Sequence, residues 1–465
     1  MLHHQILKYT VARGGPGIVN LLIIFIFTRM MGPEDYGSYI MLVSYVGLVN
    51  VFVYQWLKAS LLRFYNSKEY DSKHVGAFIF KVYCLTTLLI LVSSYILASC
   101  VPSLSQYIKI GVLLLIGQSF FDLNLELHRA QSNSGVYGFV NFSKSVIVLI
   151  FGYAFLYLGF DYTYTLFVMS AALLVPTLPA LVRFWLPLLR IKGRKIGGSM
   201  VLYGGPLAAT FAMAYVVSFT DRFMLAQMQG PTQVGYYVAS YALVFQILTL
   251  FFSTLNLAVY PFLIKKYEEN KDLSIVSQEV FKLIILVNMP VLFCFVFFGS
   301  ELSQLFFDDE FEISGMRLLP IMALSVFFSG LKCFYFDLSY QLSKNTKYQF
   351  YFLCFSGLLN IALNYLLIPI YGNVGAAYST LIVMFSSLVM SSYFSRFFCR
   401  LSMSPAILMK SISILALAVF SVEIVGGILG LNGFLTIIMF LIVVFTIYLV
   451  FFKLSDFKNI FGPLN

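Results

Sequence analysis

Residues 18–39 read IVNLLIIFIFTRMMGPEDYGSY: an apolar run ending on an arginine, then Gly32-Pro33, then the start of a second run. A hydrocarbon layer ~30 Å thick takes about 20 mostly apolar residues of helix, because lipid offers no partner to unpaired backbone groups. Glycine and proline mark the points where such helices turn. The pattern recurs along the 465 residues. Apolar runs at 9–31, 36–62, 76–100, 105–129, 136–159 and 163–187 form one set. A second lies at 200–228, 233–262, 278–299, 316–342, 348–370 and 374–397, followed by 409–429 and 433–453. The expectation is an all-α integral membrane fold of about 14 transmembrane helices. The first run continues into helix-length material and lacks a small-residue cleavage site, so it reads as a span and not as a removed leader.

Composition points the same way. Hydrophobic residues make up 60% of the chain and charged ones only 11%, less than half the usual share of roughly 25%. Such a chain cannot keep its exterior in water. The net charge of +10 would suit nucleic acid if it formed one face, but the basic residues sit in short clusters between apolar runs. The clusters fall in alternate loops: Lys58, Arg63, Lys68 and Lys73; Arg129; Arg183 to Lys195; Lys265, Lys266 and Lys271; then Lys344 and Lys347. One intervening loop carries the acidic run Asp308-Asp309-Glu310-Phe311-Glu312. By the positive-inside rule both termini are cytoplasmic and the acidic run is external. The six cysteines are scattered singly, with no CxxC or Cys/His cluster, so neither metal nor cofactor is expected.

The two sets of six echo each other. Gly14-Gly15-Pro16 matches Gly204-Gly205-Pro206, and Phe27-Thr28-Arg29-Met30 matches Phe219-Thr220-Asp221-Arg222-Phe223-Met224. Gly32-Pro33 through Tyr39 matches Gly230-Pro231 through Tyr237, and Phe121-Asp122-Leu123 matches Phe336-Asp337-Leu338. Six is even, so both halves enter the membrane in one orientation: a parallel repeat about an axis along the membrane normal, with a cavity between the bundles. The expected organisation is a lobe at 1–195, a second at 196–400, and two further helices with a cytoplasmic tail at 401–465. Pro16 and Pro206 would weaken the first helix of each lobe at matched points, either marking the transport path or setting helix geometry near the membrane surface.

Arg13-Gly14-Gly15-Pro16-Gly17, Thr28 through Gly37, Asp221-Arg222, Val234-Gly235-Tyr236-Tyr237 and Pro369 through Ala377 together resemble the polysaccharide transporter family. That family includes O-antigen flippases and belongs to the superfamily of multidrug, oligosaccharidyl-lipid and polysaccharide exporters. The resemblance spans essentially the whole chain and implies two six-helix lobes around a cationic cavity. The implied cargo is an undecaprenyl-diphosphate-linked oligosaccharide, moved by alternating access from the cytoplasmic to the periplasmic leaflet of a bacterial inner membrane. Membrane lipids, coupling to H+ or Na+, and polymerase and chain-length proteins of the same pathway are the implied partners. In related lipid II flippases two extra helices form a groove for the lipid tail.

A diphosphate headgroup needs a cationic, hydrated path, and each intramembrane charge costs at least ~2.5–3.5 kcal/mol at a helix centre. Arg13 lies beside the first Gly-Gly-Pro, and Lys58 and Arg63 near the inner end of the second helix; each could bind the diphosphate or anchor its helix at the interface. Arg29 and Arg222, at matched outer helix ends, could receive the headgroup after switching. Asp221 beside Arg222 could form a gate or a structural pair. The acids Asp122, Glu126, Asp337 and Glu423 could couple transport to an ion, and Asp122 and Asp337 could equally pair with basic residues. Aromatic side chains are mostly packing or lipid-facing groups. Two other readings stand beside the flippase: a multidrug cation antiporter of the same superfamily, which an arginine-rich cavity would oppose, and a membrane glycan polymerase or ligase, which the short external loops oppose.

Overall fold

The computed structural model describes residues 2–67, 69–191, 197–269, 273–345, 347–399 and 401–451, and leaves the side chains of 2–14, 257, 258, 261 and 449–451 outside that description. Among the described residues every regular element is a helix. The first six are α1 (Leu2–Met30), α2 (Pro33–Phe64), α3 (Ser72–Cys100), α4 (Ser105–Ala130), α5 (Ser134–Tyr157) and α6 (Tyr162–Leu188). Then come α7 (Gly197–Gln229), α8 (Pro231–Glu268), α9 (Ser274–Phe297), the short α10 (Gly299–Phe306) and α11 (Asp309–Leu342). The stretch Lys347–Ser395 is two helices, α12 and α13, because Gly372 between them has φ 58° and ψ −131°. Only glycine adopts that conformation without strain. α14 (Pro405–Leu429) and α15 (Gly433–Phe451) follow.

Eleven stretches are long and apolar enough to cross a membrane. Dividing one at Gly372 and adding the shorter apolar helices Gly15–Met30 and Gly433–Tyr448 gives the expected fourteen among the described residues. Local chemistry sets the helix starts. Pro33, Pro231 and Pro405 stand in the first turn, where the missing N–H is no loss. Asp71, Asn133, Asp161 and Ser404 cap their helices by accepting backbone N–H groups. The Lys73 amide, with the His74 ring second, holds the Asp71 carboxyl below its ordinary range.

Two features differ from the sequence expectation. The acidic run is not a loop: Asp309, Glu310 and Glu312 occupy the first turn of α11, where carboxylates meet the positive end of the helix, and Phe311 is buried. The eight-residue α10 before it is too short to show a periodicity. Pro16 and Pro206 lie inside helices that continue through them.

Packing divides the chain into two units, Met1–Ala226 and Gln227–Asn465. In the first, α2 packs on α4, α1 on α5, and α6 on α4 and α5. In the second, α8 packs on α11, α11 also meets the α12–α13 stretch and α9, and α14 lies on α9 with α15 beside it. The α2–α4 and α8–α11 pairs occupy the same places in the repeat.

Most of α7 groups with the first unit, and glycines let it approach α2. Tyr215 donates to the Ser44 carbonyl at 3.0 Å, its ring passing over Gly47, and Ser60 donates to the Met200 carbonyl at 3.1 Å. A Cβ at Gly204 would lie 2.8 Å from the Trp56 carbonyl oxygen, whereas one at Gly205 would meet nothing within 4 Å. Gly204→Ala should therefore destabilise by about 1–3 kcal/mol, the usual cost of overpacking. Gly205→Ala should leave stability unchanged or slightly raised. Thermal unfolding of the detergent-purified proteins tests this pair; equal midpoints would show that α7 does not rest on α2 at Gly204.

Candidate functional site

On α4, Gln118, Asp122 and Glu126 recur every four residues and share one helix face. That face meets α2, which presents Asn50 and Lys58. The Lys58 ammonium is buried and donates to Asp122 Oδ2 at 3.0 Å; Asn50 Nδ2 donates to the same oxygen at 2.8 Å. Asn50 Oδ1 is buried with no hydrogen-bond partner, as is Glu126 Oε2. One turn on, Arg129 reaches Glu126 Oε1 at 3.5 Å, a loose and largely exposed pair.

These groups border a cavity of about 510 Å³ lined by Gln55, Lys58, Leu62 and Arg63 of α2, Glu126 and Arg129 of α4, and Tyr203, Leu207 and Phe211 of α7. The volume lies within the ~300–1,000 Å³ usual for small-molecule sites. Its walls carry three cations (Lys58, Arg63, Arg129) against one carboxylate (Glu126). Arg63 is exposed and has no ion-pair partner among the described residues. A low-dielectric wall with excess positive charge favours an anion, and guanidinium groups can grip phosphate with two parallel bonds.

The sequence-predicted residues separate into several places. Lys58 and Arg63 share the cavity, and Asp122 lies behind Lys58. Arg29 and Arg222 do not join them: Arg222 is fifteen residues beyond Leu207 on α7, about 22 Å along the helix axis. Each instead covers an aromatic ring of its own helix, Arg29 over Phe25 at 4.2 Å and Arg222 over Phe219 at 4.3 Å. Asp221 is buried and accepts from the Arg222 backbone N–H at 2.9 Å. The Arg13 side chain lies outside the described residues. Glu423 is exposed on α14, between exposed Phe420 and Ile424.

Asp337, the repeat partner of Asp122, is also held by a lysine, from its own helix. A π turn at Lys332–Phe336 brings residues five apart onto one side, so Lys332 Nζ reaches Asp337 Oδ2 at 2.7 Å. Ser391 donates to the other oxygen at 2.6 Å. Of the four acids considered for coupling, Asp122 and Asp337 thus sit against lysines. Sequence reasoning placed Arg129 only in a loop and passed over Gln55, Asn50 and Lys144. The four-residue spacing of Gln118, Asp122 and Glu126 was the available signal.

The second unit has an apolar cavity, also about 510 Å³, between α9, α11, α13 and the start of α14, with Phe281, Phe293, Phe328, Phe385 and Leu408 in its walls.

Fourteen spans built on a repeated six-helix unit, with a charged cavity opening among them, are the architecture of a membrane transporter. The chain belongs to the polysaccharide biosynthesis protein family, whose sequence model matches residues 26–316. It is 22% identical over 398 residues to the "Putative O-antigen transporter" of Shigella flexneri, covering 78% of this chain and 90% of that one. It is 24% identical over 285 residues to the "Lsg locus putative protein 1" of Haemophilus influenzae, covering 59% and 68%. Among solved structures it shares the fold of the lipid II flippase MurJ in its inward closed conformation, with a TM-score of 0.72 at 15% identity over 97% of this chain and 99% of that one. An inward-facing multidrug resistance MATE transporter of the MOP superfamily has the same fold, with a TM-score of 0.63 at 12% identity over 84% and 97%. The resemblance drawn from the Gly/Pro/aromatic motifs is borne out.

The two lysine–aspartate pairs differ in wetness, and stability should report it. Removing one partner of a dry buried pair costs ~3–5 kcal/mol. Side-chain exposure is 15% and 8% for Lys332 and Asp337, but 8% and 30% for Lys58 and Asp122. Lys332→Met should therefore lower the unfolding midpoint more than Lys58→Met, whose orphaned carboxylate is partly hydrated. The reverse order would mean that the Asp122 carboxylate is the drier of the two.

Proposed function

We propose that this protein flips a lipid-linked oligosaccharide across a bacterial inner membrane by alternating access, taking the diphosphate at the Lys58–Arg63–Arg129 cavity. The observation that carries the reading is the sign of that cavity: three cations to one carboxylate in its lining, in a chain of the polysaccharide biosynthesis protein family. The relative from Shigella flexneri is described as an O-antigen transporter and the MurJ structure as a lipid II flippase, and both descriptions agree with an anionic, lipid-borne cargo. A multidrug cation would have to enter against the same charge. The transport lobes in this reading are the repeats 1–195 and 196–400, with 401–465 appended.

The cavity lies where α2 and α4 end and α7 begins, beside the basic loops, and in this reading it opens at the cytoplasmic face by the positive-inside rule. Loading there and release at the opposite leaflet gives the outward direction. Arg13, on the same side of α1, joins the diphosphate site, and Arg29 and Arg222 belong to the exit side, with Asp221 in its gate. The tail of a polyprenyl lipid stays in hydrocarbon, and the apolar cavity beside α14 suits a segment of it.

Neutralising Arg63 or Arg129 to Gln should cut surface glycan several-fold at normal protein level, each removing a charge-assisted contact of roughly 1.5–3 kcal/mol. The matching readout is lipid-linked oligosaccharide accumulating in the cytoplasmic leaflet of a complemented knockout strain. Normal export by an Arg63→Gln, Arg129→Gln double variant would exclude the cavity as the diphosphate site. For orientation, a cysteine at Asp309 should react with an impermeant thiol reagent added to intact cells, and one at Ser132 should not; the opposite labelling would invert the direction.

A further inference from the structure

The two repeat-related aspartates hold their lysines in different ways. Asp337 has both carboxylate oxygens occupied, one by Lys332 and one by Ser391, and only 8% of its side chain is exposed. Asp122 crowds both its donors, Asn50 and Lys58, onto Oδ2 and leaves 30% of its side chain exposed. A second lysine lies beside the neighbouring residue, Phe121. Lys144 on α5 lies over the ring of Phe121, 5.5 Å from its centroid, and its charge acts on Asp122. Lys144 has no ion pair of its own among the described residues. One pair is closed; the other is built to open.

We propose that Asp122 is the resident counter-anion of Lys58 and that substrate binding is an ion exchange. With the cavity empty, Asp122 neutralises Lys58, sparing the protein a buried unpaired ammonium. The arriving diphosphate takes Lys58, and the displaced Asp122 carboxylate turns to Lys144. On release the carboxylate returns. This lowers net affinity, which a transporter needs: a site must bind well enough to load and weakly enough to unload. Glu126 plays the lesser part for Arg129, their 3.5 Å contact being the looser. No covalent bond changes; the diphosphate, Lys58, Asp122 and Lys144 trade partners.

The inference rests on the diphosphate reading of the cavity, and one set of binding measurements separates the two. Inorganic pyrophosphate serves as the probe, titrated calorimetrically into the full-length protein in lipid nanodiscs. Wild type should bind and Lys58→Ala should lose most binding; equal binding by both would overturn the cavity reading itself. Given that loss, Asp122→Asn, which keeps the shape but removes the competing charge, should bind about tenfold more tightly, a change worth 1.4 kcal/mol. Its surface-glycan output should nevertheless fall, because unloading slows. Lys144→Met strips the displaced carboxylate of its second partner and should weaken binding several-fold. In the Asp122→Asn background the same change should have little effect, a coupling that a merely structural lysine would not show. Unchanged or weaker binding by Asp122→Asn overturns the exchange while leaving the cavity reading intact. Should Asp122→Asn fail to fold, Lys144→Met decides alone: wild-type affinity there overturns the proposal.

Discussion

An ammonium group taken into hydrocarbon must bring its counter-charge or give up its own. The cost of an isolated charge exceeds anything a single helix contact returns. Lys58 and Lys332 meet that constraint with aspartates at 3.0 and 2.7 Å. Much of the surrounding structure follows from those two bonds. α2 must pack on α4 in the register that sets Lys58 opposite Asp122. Gly47 and Gly204 must stay bare so that α7 can lie close enough to add Tyr203, Leu207 and Phe211 to the cavity wall. The cavity exists because a paired lysine, an exposed arginine and a loosely paired arginine end up around one space that α7 covers.

The two aspartates matched in the sequence repeat are held in two different ways. In α4 the helix is regular and the aspartate looks across to α2 for its lysine. In α11 a π turn five residues long supplies the lysine from the same helix and frees the facing helices for apolar packing. The second arrangement is drier, with both carboxylate oxygens bonded. The two units keep similar helix pairings, and the cationic cavity described above lies in the first.

The spans were legible in the sequence because the bilayer imposes length and hydropathy on each helix separately. The division of Lys347–Ser395 was legible too, since Gly372 stands where two apolar runs meet. What escaped was whatever depends on two elements at once or on very short ones. α10 has eight residues and no readable period. The run Asp308–Glu312 looked like a loop because its charge is all a sequence shows; in the structure its acids occupy the first turn of a helix, at the positive end of the helix dipole. Lys58 and Arg63 were selected by depth, and both line the cavity. Arg129 appeared only as loop charge, because its place beside Glu126 and α2 needs the helix-to-helix register. The same register decides that Asp122 holds Lys58, which no spacing along the chain could reveal.

Fold and cargo are separable in this architecture. The MATE transporter and the MurJ flippase share one arrangement of helices with this chain at 12% and 15% identity, so the arrangement carries no cargo information by itself. The sign of the cargo then rests on a handful of side chains facing one cavity. In the proposed reading those are Lys58, Arg63 and Arg129 against Glu126, with Asp122 behind Lys58. Under the proposed exchange, the interactions that hold the protein together and those that choose its substrate meet at Lys58, whose aspartate serves the fold when the cavity is empty and yields when an anion arrives.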